Sequence, residues 1–250
     1  MLTPQRQQLI LDLLHDQQTV KLHEFVQATN ASESTIRRDL QQLEEKNLLK
    51  RVHGGASILH QKREELSIPE KSTKNLQQKK QIAMLAASFI RDGDCVFLDA
   101  GTTTYEMIPY MRDKNLTIVT NGLSLIDALI DHNIEAYVTG GLVKHKTRAL
   151  IGSGATSGLT NYRFDKCFLG VNGIHSFYGY TTPDPEEAVV KSTALAYSQE
   201  AFILGDSSKL NEVTFSKVAD LDMAQLITNE ENEDRISLFK EKTTVKVVSP

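Results

Sequence analysis

Apolar residues recur at helical spacing along the first 45 positions, and beyond residue 95 they gather into short, nearly continuous runs. That change of period divides the chain. Leu9, Ile10, Leu13 and Leu14 form one stripe behind Thr3-Pro4, a capping residue followed by a proline suited to the first helical turn. Leu22, Phe25 and Val26 form a second, shorter stripe that stops at Thr29-Asn30-Ala31. Ser32 is a good N-cap, and Ile36, Leu40 and Leu43 share one face of the helix it starts. Thr19-Val20-Lys21 is short and β-prone, and two β-prone runs flank Gly54-Gly55 between Leu48 and Ile58. Two helices joined by a turn, then a hairpin, predict a winged helix-turn-helix over residues 1–58.

The pattern weakens from residue 59 to residue 77. His60 to Glu65 are mostly charged, Pro69 interrupts, and Ser72-Thr73-Lys74-Asn75 is polar, so an inter-domain linker is predicted. Lys79-Lys80 then lead a helix through Ile82, Ala83, Ala86, Phe89 and Ile90 to a turn at Asp92-Gly93-Asp94. Strand candidates follow at 95–98, 116–120, 135–138, 166–169, 201–204, 224–228 and 244–248. Helices fit between most of them, near 105–111, 123–130, 155–160, 185–197 and 234–241. Such alternation predicts an α/β domain with a largely parallel sheet over residues 78–250.

Parallel sheets bind ligands beyond the carboxyl ends of their strands. Here those ends share a polar, glycine-bearing character. They read Asp99-Ala100-Gly101-Thr102-Thr103-Thr104, Asn121-Gly122, Gly140-Gly141, Gly170-Val171-Asn172-Gly173 and Gly205-Asp206-Ser207-Ser208-Lys209. A ligand crevice follows, with three threonine hydroxyls at a helix start suited to a phosphate. Glu187 and Lys191 stand four residues apart, as an ordinary helix pair or as groups of the same site. Gly101-Thr102-Thr103-Thr104 lacks the Gly-Lys of a P-loop, and in Gly152-Ser153-Gly154-Ala155-Thr156-Ser157-Gly158 a serine replaces the third glycine of a dinucleotide fingerprint. No cofactor is expected.

A formal charge of −4 argues against a nucleic-acid binder until its distribution is read. Residues 1–60 balance Arg6, Lys21, Arg37, Arg38, Lys46, Lys50 and Arg51 against an equal number of acids, but the cations concentrate on one side. Ser34, Arg37, Arg38 and Gln41 lie opposite the apolar face of the third helix, suited to base edges in a major groove. Ser32 and Thr35 suit phosphates near the helix start, and Lys50, Arg51 and His53 stand beside the hairpin tip. A local patch suffices, because counterion release acts at short range. Cys95 and Cys167 sit in apolar runs as buried thiols, and the histidines show no ligand spacing with them, so no metal is expected. With no long apolar run and no leader at Met1, a soluble, cytoplasmic protein away from membranes is expected.

Arg6, Leu9 or Ile10, Leu13, the run Ser32-x-x-Thr35-Ile36-Arg37-Arg38-Asp39-Leu40 and the run Lys50-Arg51-Val52-His53-Gly54-Gly55-Ala56 resemble the DeoR family of bacterial transcription regulators. Asp99-x-Gly101-Thr102-Thr103, Thr120-Asn121-Gly122, Thr139-Gly140-Gly141 and Asp206-x-Ser208-Lys209 resemble that family's effector domain. The resemblance implies a fold similar to ribose-5-phosphate isomerase and CoA-transferase subunits, and a phosphorylated sugar as effector. Residues 170–174 and 179–188 look most like fructose-operon repressors, with fructose 1-phosphate as ligand. Lactose-phosphotransferase-type repressors, answering to tagatose 6-phosphate, come second. In that family Asp39 is placed to orient a neighbouring arginine, or else forms a surface ion pair.

A metabolite-gated DNA-binding repressor is therefore expected, acting on double-stranded operator DNA as a homodimer or homotetramer held mainly by residues 78–250. The phosphate is expected on Thr102, Thr103 and Thr104 with Lys209 as counter-charge, and the sugar hydroxyls near Asp99, Asn121, Asn172 or Glu187. The competing reading is a sugar-phosphate isomerase with an accessory DNA-binding module. Asp99, Asp184, Glu186, Glu187, Lys191, Asp206 and Lys209 would then supply its proton-transfer groups.

Overall fold

The computed structural model describes residues 2–17, 19–46, 48–52, 54–58 and 65–248, and the chain divides into two units, Met1–Gln61 and Lys62–Pro250. In the first, α1 (Thr3–Gln17), β1 (Thr19–Lys21), α2 (Leu22–Thr29), α3 (Glu33–Glu45), β2 (Leu49–Val52) and β3 (Gly55–Ile58) follow in order. Asn30 ends α2 in the left-handed region (φ 52°), and the Ser32 hydroxyl caps α3 by accepting from the Thr35 amide at 3.3 Å. Ile10, Leu14, Phe25, Ile36, Leu40 and Leu43 meet beneath Leu49 and Ala56 of the sheet. Each large side chain buried there contributes roughly 1.5–3 kcal/mol.

The small sheet runs β1-β3-β2, antiparallel throughout. Gly55 is required where β3 crosses β1, because a Cβ there would stand 2.1 Å from the Val20 carbonyl oxygen. Asp39 is buried and binds Arg6 of α1 through two bonds, Nε to Oδ2 at 2.5 Å and Nη2 to Oδ1 at 3.2 Å. The carboxylate thus joins two helices inside the unit. It does not form a surface pair.

In the second unit α4 (Ile68–Thr73) and α5 (Leu76–Ser88) precede β4 (Cys95–Leu98), α6 (Thr102–Tyr105), β5 (Thr117–Thr120), α7 (Ile126–Asp131) and β6 (Glu135–Val138). A hairpin of β7 (Leu142–Lys144) and β8 (Ala149–Ile151) leads to α8 (Gly152–Thr160) and β9 (Phe164–Gly170). Then come β10 (Gly173–His175), β11 (Gly179–Thr182), α9 (Pro185–Ala196), β12 (Ser198–Leu204), β13 (Ser216–Ala219), β14 (Gln225–Thr228), α10 (Glu233–Lys240) and β15 (Val245–Val247). Every strand anticipated after residue 95 enters one parallel sheet of order β15-β14-β12-β9-β4-β5-β6. Alternate residues feed two cores. Phe97, Cys167, Leu169 and Ile203 face α8, α9 and α10, while Val96, Leu98, Phe168 and Phe202 face α5 and α7. Cys167 is a free thiol, pushed up to about 12 by burial.

Three features depart from the expectations. Within the predicted linker, residues 67–77 form α4 and the opening of α5. Ser67-Ile68-Pro69-Glu70 is a helix start, with Glu70 bonding back to the Ser67 amide at 2.7 Å and Pro69 in the first turn, where it breaks nothing. The helix expected over 105–111 begins earlier, as α6, and resumes only as a 3-10 turn at Ile108–Tyr110 around Pro109. The β7–β8 hairpin and the antiparallel β10-β11-β13 sheet were not anticipated, because their short runs carry little periodicity.

Candidate functional sites

The third helix of the first unit presents its polar face as the pattern requires. Ser34, Arg37, Arg38 and Gln41 are exposed, opposite buried Ile36, Leu40 and Leu43. Ser32, Ser34 and Thr35 join their hydroxyls at the helix start, 3.0 and 2.8 Å from Ser32 Oγ. Arg37 pairs with Glu33 at 3.1 Å and Gln41 bonds Glu45 at 3.1 Å, whereas Arg38 forms no ion pair among the described residues. Lys50 and Arg51 are exposed on β2, with Arg51 3.6 Å from Glu44. A cleft of about 340 Å³ lies between helix and hairpin, lined by Ser34, Arg37, Arg38, Gln41, Arg51 and Gly54. His53 lies outside the described residues.

In the second unit, β5 and β6 extend the sheet to one side of β4, and β9, β12, β14 and β15 extend it to the other. The strand order reverses between β4 and β9, the place where sheets of this kind bind ligands beyond their carboxyl ends. Asp99 stands there, 1 % exposed. Its Oδ2 accepts from the Gly170 amide at 3.0 Å and from Lys191 of α9, while Oδ1 has no hydrogen-bond partner among the described residues. Gly101 and Gly170 flank the carboxylate, and a Cβ at Gly170 would stand 3.5 Å from Oδ2.

Around Asp99 lies a closed network. Glu187 accepts from Lys144 at 2.9 Å and from the Thr147 hydroxyl at 2.7 Å. Lys144 also reaches Asp184 at 2.9 Å and Glu65 at 2.5 Å, and Glu65 pairs with Lys71 at 2.7 Å. Burial works against the Lys191 ammonium, but Asp99 and Glu187 outweigh it and hold its pKa above the usual value. Burial likewise opposes the Glu187 carboxylate, and Lys191, Thr147 and Lys144 outweigh it and hold its pKa low. Lys144 is raised in the same manner, burial being overcome by Glu65, Asp184 and Glu187. Lys191, Glu187 and Lys144 are thus each favoured in their charged forms by their neighbours.

A second cluster sits beyond β12. Asp206 accepts from Asn75 at 3.0 Å and from Ser208, whose hydroxyl is 2.5 Å away. Lys79 of α5 donates to the Lys71 carbonyl and is lowered to about 8, by burial first and by Lys209 and Lys71 next, against Asp206 and Glu106. Lys209 is lowered too, by burial above all, with Lys71 and Lys74 adding repulsion, and it has no ion pair among the described residues. Helix α5, which carries Lys79, packs against both α6 and β12, and Lys209 follows β12, so both lysines lie toward the end of the sheet where Asp99 stands.

Several anticipated ligand groups are consumed by the fold. Thr104 is fully buried, and its hydroxyl donates to the Asp99 carbonyl at 2.7 Å. Asn121 is buried, accepting from the Ala100 amide at 2.9 Å and donating to the Leu150 carbonyl at 3.3 Å. The glycines at 122 and 141 serve packing: a Cβ would meet Ala100 Cα at 2.9 Å and the Ile151 oxygen at 2.5 Å. Gly140 has open space around it. Asn172 accepts from Thr182 at 3.2 Å and is half-buried. Thr102 and Thr103 are half-buried, with hydroxyls unbonded among the described residues. Lys144, Thr147, Glu65 and Lys79 were missed, since each lies outside the strand-end motifs.

Comparison with known proteins places both units. A DeoR-like helix-turn-helix domain matches residues 6–62, and a DeoR C terminal sensor domain matches residues 74–230. The chain is 50% identical over 251 residues, 100% of each chain, to a Bacillus subtilis protein named "Uncharacterized HTH-type transcriptional regulator FruR". It is 34% identical to the lactose phosphotransferase system repressor of Staphylococcus epidermidis, over 96% of each chain. Among solved structures, ribose 5-phosphate isomerase A from Methanocaldococcus jannaschii matches 54% of this chain and 55% of its own, with 15% identity and a TM-score of 0.42. Helix-turn-helix unit, sensor unit and full-length relatives agree: the chain belongs to the DeoR family of DNA-binding transcription regulators.

Proposed function

We propose that the protein is a cytoplasmic repressor of a sugar-utilisation operon that leaves its operator when a phosphorylated sugar enters the crevice beyond β4. Fructose 1-phosphate is the first candidate and tagatose 6-phosphate the second. The observation that carries this reading is the buried Oδ1 of Asp99, without a hydrogen-bond partner among the described residues and set at the strand-order reversal between two glycines. A buried carboxylate oxygen without a donor is costly, and a ligand hydroxyl would supply the donor.

The crevice has two electrostatic ends. Around Asp99 the carboxylates of Asp99, Asp184 and Glu187 outnumber the ammonium groups of Lys191 and Lys144. That end suits neutral hydroxyls, which donate to carboxylates. Lys79 and Lys209 repel one another across Asp206, so the second end suits an anion. A sugar phosphate spans the two, its phosphate on Lys79, Lys209, Thr102 and Thr103.

DNA is read by α3 and the wing. Arg38 is the base reader in this assignment, Arg37 joins it on leaving Glu33, and Ser34 and Gln41 flank them. Ser32, Thr35, Lys50 and Arg51 hold phosphates. Arg38→Ala then costs about 1–3 kcal/mol of operator affinity and relaxes one base position. Arg51→Ala weakens all sequences alike and flattens the salt slope. Gel shifts at two salt concentrations separate these results; unaltered specificity in Arg38→Ala removes it from the base-reading role. One recognition helix covers few base pairs, so a homodimer or homotetramer meets repeated half-sites.

A thermal-shift panel of sugar phosphates tests the ligand. At a hundredfold excess over Kd, a ligand bound only by the folded state stabilises it by about 2.7 kcal/mol, and free fructose should give nothing comparable. The anion end adds a pH signature. Lys79 is lowered to about 8 among Asp206, Lys209, Lys71 and Glu106, and a bound phosphate raises it. Below that value Lys79 is already charged and affinity holds; above it the anion must bring back a proton, and affinity falls, approaching tenfold per pH unit. Calorimetry at about pH 7 and about pH 9 measures this. Equal affinities would take Lys79 out of the anion end, and no shift from any sugar phosphate would reject the ligand class.

A further inference from the structure

Glu65 opens the described part of the second unit, on the segment that arrives from the DNA-binding unit, and it is 5 % exposed. A buried carboxylate is stable only when paired. One partner is local, Lys71 of α4 at 2.7 Å. The other is Lys144 at the end of β7, 2.5 Å away and distant in sequence. An ammonium has three donors, and Lys144 directs its own to Glu65, Asp184 and Glu187. Asp184 and Glu187 are firmly placed. Asp184 caps α9 by accepting from the amides of Glu186 and Glu187, and Glu187 also holds the Thr147 hydroxyl.

Glu65 differs from those two. Its segment has one further hydrogen bond to the β7–β8 turn, Ile68 N to Lys146 O at 3.2 Å. A group in the crevice that engages Lys144 must take one of its three donors from a present carboxylate. Of the three carboxylates only Glu65 stands on the incoming segment, so a shift of Lys144 toward a ligand is passed to that segment through it.

We propose that Glu65 and Lys144 form the relay of this regulator: the pair ties the incoming segment to the sensor unit in the ligand-free, DNA-competent state, and ligand binding beside Glu187 releases it. The relay depends on the sugar-phosphate reading only for the identity of the ligand. Its energetic content is a two-state element biased from one site and read at another. The sensor and operator sites then need no direct contact, since the ligand acts on the chain that joins the units.

The test uses the full-length protein and labelled operator DNA. Glu65→Ala removes the tie and leaves Lys144 with Asp184 and Glu187; Lys71 also loses Glu65, but at 23% exposure its ammonium can turn to solvent. Without any ligand, operator affinity should fall about tenfold or more, and fructose 1-phosphate should lower it little further. Ligand affinity, measured by thermal shift without DNA, should hold or improve, because no tie has to be broken. A merely structural role would lower the melting temperature of the sensor unit and weaken the ligand as well. Glu65→Gln repeats the test if the alanine variant folds poorly. Folded variants with wild-type operator affinity overturn the relay. A wild type indifferent to sugar phosphates, beside a Glu65→Ala that has lost its operator, rejects the ligand assignment and leaves the relay standing.

Discussion

Replacing Lys191 by methionine will cost the sensor unit about 3–5 kcal/mol and abolish its ligand response. Methionine fills nearly the same volume and removes only the charge. Lys191 is 5 % exposed and is bonded to Asp99, the carboxylate at the centre of the crevice. Without it, Asp99 keeps only the Gly170 amide and is left buried as an uncompensated anion. Glu187 loses a cation that helps to hold its pKa low. Urea melts of the full chain measure the cost. A second substitution separates stability from function: Asp99→Leu in the Lys191→Met background removes the stranded charge and should recover most of the loss. Ligand-induced thermal shift should not return with it, because the hydroxyl acceptor is gone. A single Lys191→Met variant as stable as the wild type would show that the pair is well solvated.

Asp39→Ala will unfold the DNA-binding unit at a temperature where the sensor unit persists. That first unit is small, so its whole stability is on the order of 5 kcal/mol. Asp39 joins α1 to α3 through two bonds to Arg6, with side-chain exposures of 3% and 12%. Removing one member of such a pair costs about 3 kcal/mol or more, close to the total. Calorimetry should therefore resolve an early transition for the variant and an unshifted later one, with operator binding lost. Both transitions unmoved, with operator affinity reduced, would instead place Asp39 in DNA recognition. The distinction matters because Asp39 lies next in sequence to the exposed Arg38.

Legibility followed the range of each signal. Ser32, Asn30 and the stripe Ile36-Leu40-Leu43 act within one or two turns, so α2 and α3 were readable to within a residue or two. The strands of the large sheet were equally plain, since a parallel strand covered on both faces leaves a solid apolar run such as Cys95-Val96-Phe97-Leu98. Ser67-Ile68-Pro69-Glu70 carried a helix start of the same local kind, masked by the polar residues around it. Local signals failed where polar residues had to be assigned partners. Thr102, Thr103 and Thr104 look alike in the chain, yet the third turns inward onto the Asp99 carbonyl while the first two stay half-buried and unbonded among the described residues. Asn121 reads as a ligand group until the loop after β4 is found to lie against it.

The sequence by itself determined the period, the caps and the strand runs, and through them the two units and the polar face of α3. Those depend on neighbours within a few residues, where φ/ψ preference and side-chain spacing decide the outcome. Only the tertiary structure decided that the strand order reverses between β4 and β9, and so which strand end becomes the centre of the crevice. It alone joined Asp99 to Lys191 across 92 residues and Lys144 to Glu65 across 79. A buried charge is stabilised by whatever opposite charge the packed elements bring within reach, and no spacing along the chain encodes that distance.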